Sequence, residues 1–210
     1  MIRRWVGLFC LAGCMVIGHR ALAQEFSADV INKKTDNQNL KKVYAGNGKE
    51  RFEVASGNPM MGPTAVILDE SQKKYIVLMT ERRVYMDAPT TMARALITQF
   101  WHVPDVNDAC PQWRKAAEQA GTLKNWGSCT KVGSDTLNGR SAVKYEGVSS
   151  KGEKSYIWVD TKLHCVVKTD DAEGGIELRN IQEGWQPANL FEVPAGYTKF
   201  DMGAMMKQGR

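Results

Sequence analysis

The segment from Arg140 to Ile181 constrains the fold of this chain most strongly. It contains four short runs rich in β-branched and aromatic residues, RSAVKYEG, KSYIWVD, LHCVVKTD and IELRNI, which are separated by turn-forming residues. Short runs of this composition at such spacing are typical of consecutive antiparallel strands. The segment therefore predicts an up-and-down antiparallel sheet.

One strand of this sheet is apolar on both faces. Side chains alternate along a strand, so Tyr156 and Trp158 lie on the face opposite to Ile157 and Val159. The run Lys74–Met79, in the other half of the chain, repeats the pattern. Because apolar side chains on both faces have to leave water, we expect these strands to be covered on both sides or to line a cavity.

The third run of the meander predicts which of its residues share a face. Alternation places Leu163, Cys165 and Val167 together, and the opposite face carries His164, Val166 and Lys168. We interpret Cys165 as a small buried hydrophobic residue, and the alternative is a reactive or intermolecular thiol.

The first half of the chain contains further runs with strand character, Phe26–Ile31, Lys41–Ala45, Lys49–Val54, Thr64–Asp69, Lys74–Met79 and Arg83–Met86. Asn47-Gly48 lies between two of them, and Asn138-Gly139 precedes the meander. Because asparagine and glycine both tolerate positive φ, these two dipeptides predict tight hairpin turns.

Between the two sets of strands, from about residue 90 to 121, the hydrophobic period changes to that of a helix. The first predicted helix covers Thr91–Trp101 and carries Met92, Leu96 and Phe100 on one face. The second begins at Cys110-Pro111 and ends at Gly121. Its apolar stripe consists mainly of small residues, which predicts a close-packed or sliding contact: Trp113, Ala116, Ala117 and Ala120.

The amino terminus has the features of a secretory signal peptide over residues 1–23. Arg3 and Arg4 precede an apolar stretch, and Ala21-Leu22-Ala23 forms a cleavage signal that would leave Gln24 first. The segment carries three arginines and no acid, so its removal lowers the formal net charge from +5 to +2. An alternative is a lipoprotein that begins at a lipidated Cys14, because Leu11-Ala12-Gly13-Cys14 resembles a lipobox.

An exported chain meets oxidising conditions, which favours a disulfide. Cys110 and Cys129 flank the second predicted helix and are the natural pair. Closing a loop of that size contributes about 3 kcal/mol in the chain-entropy model.

The residue types that carry catalysis are sparse. Beyond the signal segment the histidines are His102 and His164, and no Ser-His-acid set, phosphate loop or paired zinc motif is present. We interpret the cluster of His102, Asp105, Asp108 and Cys110 as a loop with a helix-capping aspartate and a disulfide. The sequence thus predicts a protein that is not an enzyme and has no cofactor or metal. No basic run is interleaved with aromatic residues, so nucleic acid is not an expected partner.

Two segments resemble known envelope proteins. Thr64–Pro89 is similar to a segment of an uncharacterised periplasmic family related to the outer-membrane lipoprotein carriers. The closing segment resembles the same families through a Trp158-Val159-Asp160 turn and a motif formed by Leu190, Phe191, Val193, Pro194, Gly196 and Tyr197.

The resemblance implies an α+β, mostly β fold: a single incomplete antiparallel barrel of about eleven strands in residues 24–210, covered by two short helices. It implies a periplasmic protein that binds a lipid or a lipoprotein acyl chain without catalysis, with transient membrane contact or an anchor at Cys14. The candidate cavity residues are Tyr75, Val77, Met79, Met92, Leu96, Phe100, Tyr156 and Trp158. Arg51 is nearest to a carrier arginine that controls the helical lid.

A different function remains open on the same fold. An envelope protein-interaction or stress-sensing module would use tightly packed helices, no ligand cavity and a protein partner. Lipid content of the purified protein distinguishes it from the binding protein.

Overall fold

The computed structural model describes residues 25–33, 40–55, 62–69, 71–87, 102–172 and 174–200. In these residues the strands form one twelve-stranded sheet with the order β12-β6-β5-β4-β3-β2-β1-β11-β10-β9-β8-β7. Neighbouring strands are antiparallel, except that β12 runs parallel to β6. The sheet is open, with β12 at one edge and β7 at the other.

The strands are β1 (Phe26–Asn32), β2 (Leu40–Gly46), β3 (Lys49–Val54), β4 (Thr64–Asp69), β5 (Lys74–Met79), β6 (Val84–Asp87), β7 (Trp126–Leu137), β8 (Arg140–Ser149), β9 (Lys154–Asp160), β10 (Val166–Asp170), β11 (Ile176–Glu183) and β12 (Thr198–Lys199). Helix α1 covers Ala109–Gln119, and short 3-10 helices cover Leu123–Asn125 and Ala188–Phe191.

The mostly β architecture predicted from the sequence is confirmed, and its open sheet agrees with an incomplete barrel. The structure adds β12, a two-residue strand that the sequence pattern does not indicate. Both Asn-Gly hairpins form, with positive φ at Asn47, Gly48, Asn138 and Gly139. Helix α1 matches the second predicted helix. The first predicted helix, Thr91–Trp101, lies outside the described residues, as do the signal segment 1–23 and Cys14.

The sheet has two different apolar faces. One, which we call the core face, carries a single cluster that extends across the sheet and includes Phe52, Tyr75 and Trp158. The opposite face, which we call the cover face, carries two separate clusters. The strands that are apolar on both sides are those that lie under these covers, as the alternation in β5 and β9 predicts.

Each cover-face cluster has its own covering segment. Residues 103–113, which include the first part of α1, cover Val143, Tyr145 and Val159 at one end of the sheet. The closing motif covers Ile67, Ile76 and Leu78 at the other end through residues that belong to the sequence motif, Leu190, Phe191, Val193 and Tyr197. The closing motif therefore buries the second apolar face of β4 and β5.

One face assignment in β10 is wrong. Leu163, Cys165 and Val167 share the core face as predicted, and Val166 lies on the cover face. Lys168, predicted beside Val166, instead pairs with Trp158, and its ammonium group lies 4.2 Å from the centre of the indole ring. The register shifts between Val166 and Lys168. Such a bulge breaks simple alternation, because it adds one residue to one strand.

A buried carboxylate joins the start of β8 to the ends of β9 and β11. Asp160 is 1% exposed and accepts the backbone N–H groups of Lys162 and Leu163, both at 2.8 Å. Its carboxylate also accepts two hydrogen bonds from the Arg140 guanidinium, which reaches Glu183 at 2.7 Å. The hydrogen bonds that Arg140 donates to Asp160 are the main cause of the raised pKa of Arg140. This group ties β8, the β9–β10 turn and β11 together.

In the described part of the chain, no helix combines the length and the apolar character that a membrane-spanning segment requires.

We predict that Asp160→Asn lowers the free energy of unfolding by about 3 kcal/mol, because it leaves the Arg140 charge without its buried partner. Urea denaturation measures the loss. The matched control is Lys154→Ala, which removes an ion pair to Glu146 whose lysine is 61% exposed and should cost less than about 1 kcal/mol. Equal losses in the two variants would contradict the role assigned to Asp160.

Candidate functional site

An open groove lies on the cover face between α1 and strands β7–β10. Its volume is about 550 Å³, within the roughly 300–1,000 Å³ of common small-molecule sites. One wall is the helical face that carries Trp113, Ala116, Ala117 and Ala120, and the floor is formed by residues of the sheet. It therefore has the size and the lining to hold a small, partly apolar molecule.

Small residues on both walls leave this space open. The helix presents alanines at positions 116, 117 and 120, and the floor opposite contains Gly147 and Ser155. Gly147 is paired with Ser155, and a Cβ atom added at Gly147 would lie 2.9 Å from the Ser155 hydroxyl. The sequence predicted a close contact along the alanine stripe. The structure shows an open groove along this stripe, to which the small residues Gly147 and Ser155 of the floor contribute.

One end of the groove is apolar. Trp113, Ile157 and Val166 line it there and pack into the neighbouring cover-face cluster. The rings of Trp113 and Tyr145 meet in a T-shaped arrangement, with 5.1 Å between ring centres. Cys129, in the disulfide with Cys110, also lines the groove. A hydrocarbon at this end would meet aromatic, aliphatic and sulfur atoms.

The other end of the groove is polar, because it opens at the β8–β9 turn. Ser149, Glu153 and Lys154 lie there, and the Ser149 hydroxyl donates to Glu153 Oε2 at 3.2 Å. Asn125 and Thr122 add further polar groups from the chain that follows α1. The groove thus changes from apolar to polar along its length, which suits an amphipathic ligand.

A disulfide and a pair of hydrogen bonds fix the first turn of α1 to the sheet. The predicted disulfide between Cys110 and Cys129 is present, with 5.6 Å between their Cα atoms. The hydroxyl of Tyr145 accepts the N–H of Ala109 at 3.2 Å and donates to the carbonyl of Val106 at 2.8 Å. Burial raises the pKa of this phenol, so the group stays neutral and can both donate and accept.

The prediction that an aspartate side chain caps the start of α1 is wrong. Asp108 occupies the N-cap position of α1, but its side chain makes no capping hydrogen bond. Tyr145, more than thirty residues away in sequence, takes over because its hydroxyl reaches the N–H of Ala109. No local pattern indicates a cap that comes from a neighbouring strand.

The chain is fixed again beyond the last turn of α1. The carbonyl of Ala117 accepts hydrogen bonds from the backbone and the hydroxyl of Thr122. The carbonyl of Asn125 accepts the N–H of Ser150, in the β8–β9 turn, at 2.9 Å. Helix α1 is therefore attached to the sheet near both of its ends, and the groove lies beneath the part of the helix between these attachments.

The cavity residues predicted from the sequence lie elsewhere. Tyr75, Val77 and Trp158 belong to the core-face cluster, Tyr156 packs against it, and Met79 is buried on the same strand face. None of these five lines the groove. Met92, Leu96 and Phe100 lie outside the described residues. Contact of these residues with a ligand stays a prediction.

Polar groups surround Tyr156 and Trp158, two of the cavity residues predicted from the sequence. The indole N–H of Trp158 donates to Asp135 Oδ2 at 2.7 Å, and the ammonium groups of Lys144 and Lys168 lie 4.9 and 4.2 Å from the ring centre. The hydroxyl of Tyr156 donates to Glu146 at 2.9 Å. These cation–π and hydrogen-bond contacts hold both rings in place.

Arg51, the residue nearest to the carriers' arginine, anchors the closing segment. Its guanidinium donates to the carbonyl of Leu190 at 3.0 Å and to Glu53 at 3.3 Å. Arg51 therefore joins β3 to the segment that covers β4 and β5.

The remaining candidates for chemistry are separated or buried. The rings of His102 and His164 lie 6.1 Å apart, and burial followed by the charge of His164 lowers the pKa of His102. Cys165 is a free, buried thiol, as interpreted from the sequence, and burial raises its pKa. Within the described ranges no three metal-ligating side chains come together.

Comparison with known proteins identifies the fold. No protein-family model matches the sequence. A search of curated proteins likewise gives no match. Among solved structures, an uncharacterised conserved protein from Thermus thermophilus matches with a TM-score of 0.50 and 13% identity, over 85% of this chain and 91% of that one. This likeness shows a shared fold.

Two further structures match with lower TM-scores. MucB, also solved in complex with MucA from Pseudomonas aeruginosa, has a TM-score of 0.48 and 13% identity over 82% of this chain. This chain spans 58% of the length of MucB. Lipoprotein LppX of Mycobacterium tuberculosis has a TM-score of 0.37 and 11% identity, over 78% of this chain and 86% of that one. These matches include a lipoprotein, in line with the resemblance seen in the sequence, and the shared fold itself rests on the Thermus thermophilus protein.

We predict that Tyr145→Phe lowers the free energy of unfolding by about 1–3 kcal/mol, because the N–H of Ala109 and the carbonyl of Val106 lose a buried partner. Thermal and urea denaturation measure the change. Tyr156→Phe is the control, since it removes a hydroxyl bonded to a partly exposed glutamate. If the two variants lose equal stability, Tyr145 does not hold the start of α1.

Proposed function

We propose that this protein binds the hydrocarbon chain of a lipid or of an acylated protein in the groove beneath α1, in the periplasm and without catalysis. The observation that carries the proposal is the groove itself, which is apolar near Trp113 and Ile157 and polar at the β8–β9 turn. An acyl chain would lie along the alanines with its polar end at the turn.

The driving force would be removal of hydrocarbon from water. Each methylene buried contributes about 0.8 kcal/mol, before the cost of ordering the chain is subtracted. The groove needs no charged partner for this, and its wall of alanines imposes little shape on the ligand. Binding of this kind selects for an unbranched apolar chain more than for one particular headgroup.

The residues around the groove favour binding over reaction. Its hydroxyl-bearing residues include Ser128, Ser149 and Ser155, and none of the lining residues is a histidine. A serine nucleophile needs an adjacent base. The groove lining supplies no histidine for that role, and Glu153, which accepts from Ser149, lies with it in the exposed β8–β9 turn, so a hydrolase is not our proposal.

The second candidate is an envelope protein-interaction module without a lipid. It is favoured by the packing of the core face, where Phe52, Tyr75 and Trp158 are buried among the protein's own side chains. On this interpretation the groove would be incidental and the partner a protein. Both candidates place the protein in the envelope.

We predict that Ala117→Leu weakens the binding of a fluorescent fatty acid by at least about tenfold, because the added carbons occupy the groove. Leucine keeps a high helix propensity, so α1 should persist. Lys115→Leu is the matched control, since this exposed position on the same helix does not line the groove. Fluorescence titration gives both affinities, and circular dichroism confirms that the variants fold.

The outcomes distinguish the two candidate functions, and they also distinguish a ligand in the groove from a ligand at the core face. Organic extraction of the purified wild-type protein should yield stoichiometric lipid. A clean extract together with no fatty-acid uptake would overturn lipid binding and favour the interaction module. Uptake that Ala117→Leu leaves unchanged would reject the groove and direct attention to the core-face residues Tyr75 and Trp158.

A further inference from the structure

The two histidines of the described chain lie near each other, although they are far apart in sequence. His102 is exposed at the start of the segment that leads into α1, and His164 is partly exposed in the turn between β9 and β10. Their ring centres are 6.1 Å apart, and the ring planes are inclined by 26°. Neither histidine lines the groove, so the proposed function does not use this pair.

Main-chain hydrogen bonds hold the two residues beside each other. His102 is paired with Cys165 in an isolated antiparallel bridge, and the carbonyl of His164 accepts the N–H of Val103 at 2.6 Å. The N–H of His164 in turn donates to the carbonyl of Asp160 at 3.0 Å. Because the backbone is fixed on both sides, the distance between the rings changes only through rotation of the side chains.

The ring of His164 is held in one tautomer. Its Nδ1 lies 3.0 Å from the carbonyl oxygen of Pro104. A carbonyl oxygen only accepts hydrogen bonds, so Nδ1 carries the proton and Nε2 of the neutral ring keeps a lone pair. A metal-ligating histidine usually donates its other N–H to a carbonyl or carboxylate in this way, because the hydrogen bond orients the ring and raises its basicity.

The ring of His102 has a comparable arrangement. Burial and then the charge of His164 lower the pKa of His102, and a hydrogen bond with the backbone of His164 opposes the shift. Since that hydrogen bond favours the protonated ring, the imidazole is its donor. The other ring nitrogen of the neutral side chain therefore also keeps a lone pair.

The spacing of the rings suits an ion between them. A distance of 6.1 Å between ring centres is too long for direct contact of the rings. Zinc lies about 2.0–2.1 Å from an imidazole nitrogen, so two imidazoles on one ion have ring centres roughly 5–6 Å apart. Small side-chain rotations cover the remaining difference. Among the described residues no third metal-ligating side chain joins the pair, so water would fill the other coordination positions.

The charges around the pair do not exclude a cation. The segment that follows the first histidine carries Asp105 and Asp108, which are both exposed. In the turn that holds the second histidine, Lys162 pairs with Glu183. Arg140 donates to Glu183 and to the buried aspartate at the end of β9. Each of these cationic side chains thus has a carboxylate partner.

We propose that His102 and His164 together bind one late first-row transition-metal ion, with Cu²⁺ bound most tightly and water as the remaining ligand. Imidazole nitrogen suits copper, nickel and zinc, and the affinity of such sites is highest for Cu²⁺. The ion would join the segment that leads into α1 to the β9–β10 turn, so its binding would stabilise the folded protein. No metal was predicted from the sequence, because the two ligands are far apart in the chain and form no motif.

The test is calorimetric titration of the exported protein with Cu²⁺ or Zn²⁺ alone, since residues 24–210 contain no other histidine. We expect saturable binding of one ion per chain, tighter for Cu²⁺, and a higher midpoint of thermal denaturation. His102→Gln and His164→Gln should each weaken binding by at least about tenfold, since loss of an outer-shell partner alone costs that much. The double variant should lose less than the sum of the two, because the ligands act as one unit.

Two control variants remove other candidate ligands close to the pair. Asp105→Asn removes a carboxylate from the segment that follows His102, and Cys165→Ala removes the thiol next to His164. Both should bind the ion as the wild-type protein does. In the wild-type protein, Zn²⁺ should shift the ring proton signals of both histidines together in NMR spectra, a readout that needs no variant.

Each outcome supports or overturns the proposal. Full binding by the double variant, or a shift of only one histidine signal, would overturn it. So would a tenfold loss in only one of the single histidine variants, since this would show a site with one imidazole. An equal loss in Asp105→Asn or Cys165→Ala would assign the ion to other ligands. Circular dichroism without metal checks that each variant is folded, and fatty-acid uptake has no bearing on the result.

Discussion

The hydrogen bonds of the buried Asp160 carboxylate hold together the part of the sheet where β8 begins and β9 and β11 end. The carboxylate accepts hydrogen bonds from two backbone N–H groups of the β9–β10 turn and from the Arg140 guanidinium of the neighbouring strand. Because a buried charge without partners is strongly unfavourable, these three elements have to meet at one point. The aspartate of the Trp-x-Asp turn is thus a structural centre, and Glu183 and Lys162 extend it to β11.

A second constraint acts over the rest of the sheet. Strands β5 and β9 are apolar on both faces, so a single hydrophobic core cannot satisfy them. The chain solves this with one continuous cluster on the core face and two separate covers on the cover face. The closing motif tightly covers β4 and β5. Helix α1 covers β8 and β9 only partly, because its alanines lie opposite Gly147 and Ser155. The difference between the two covers creates the groove.

Much of this could be predicted from residue patterns alone. Alternation identified the strands, Asn-Gly marked both hairpins, and the positions of Cys110 and Cys129 indicated the disulfide. These features depend on neighbours in sequence or on simple chain geometry. Lys168 was placed on the wrong face because a bulge interrupts β10, and the capping bond expected from an aspartate is made by Tyr145. Both errors involve partners from another strand, which no local pattern contains.

The candidate site shows the same division. The sequence by itself determined that β9 must be covered on both faces and that the apolar stripe of α1 consists mainly of small side chains, because both properties follow from the residue types alone. The tertiary structure decided which face the helix covers, and it brought the alanines opposite a glycine and a serine of the sheet. It also decided that the predicted aromatics pack into the core face. The groove is open because small residues lie on both the helix and the sheet, and only the folded structure brings these two surfaces opposite each other.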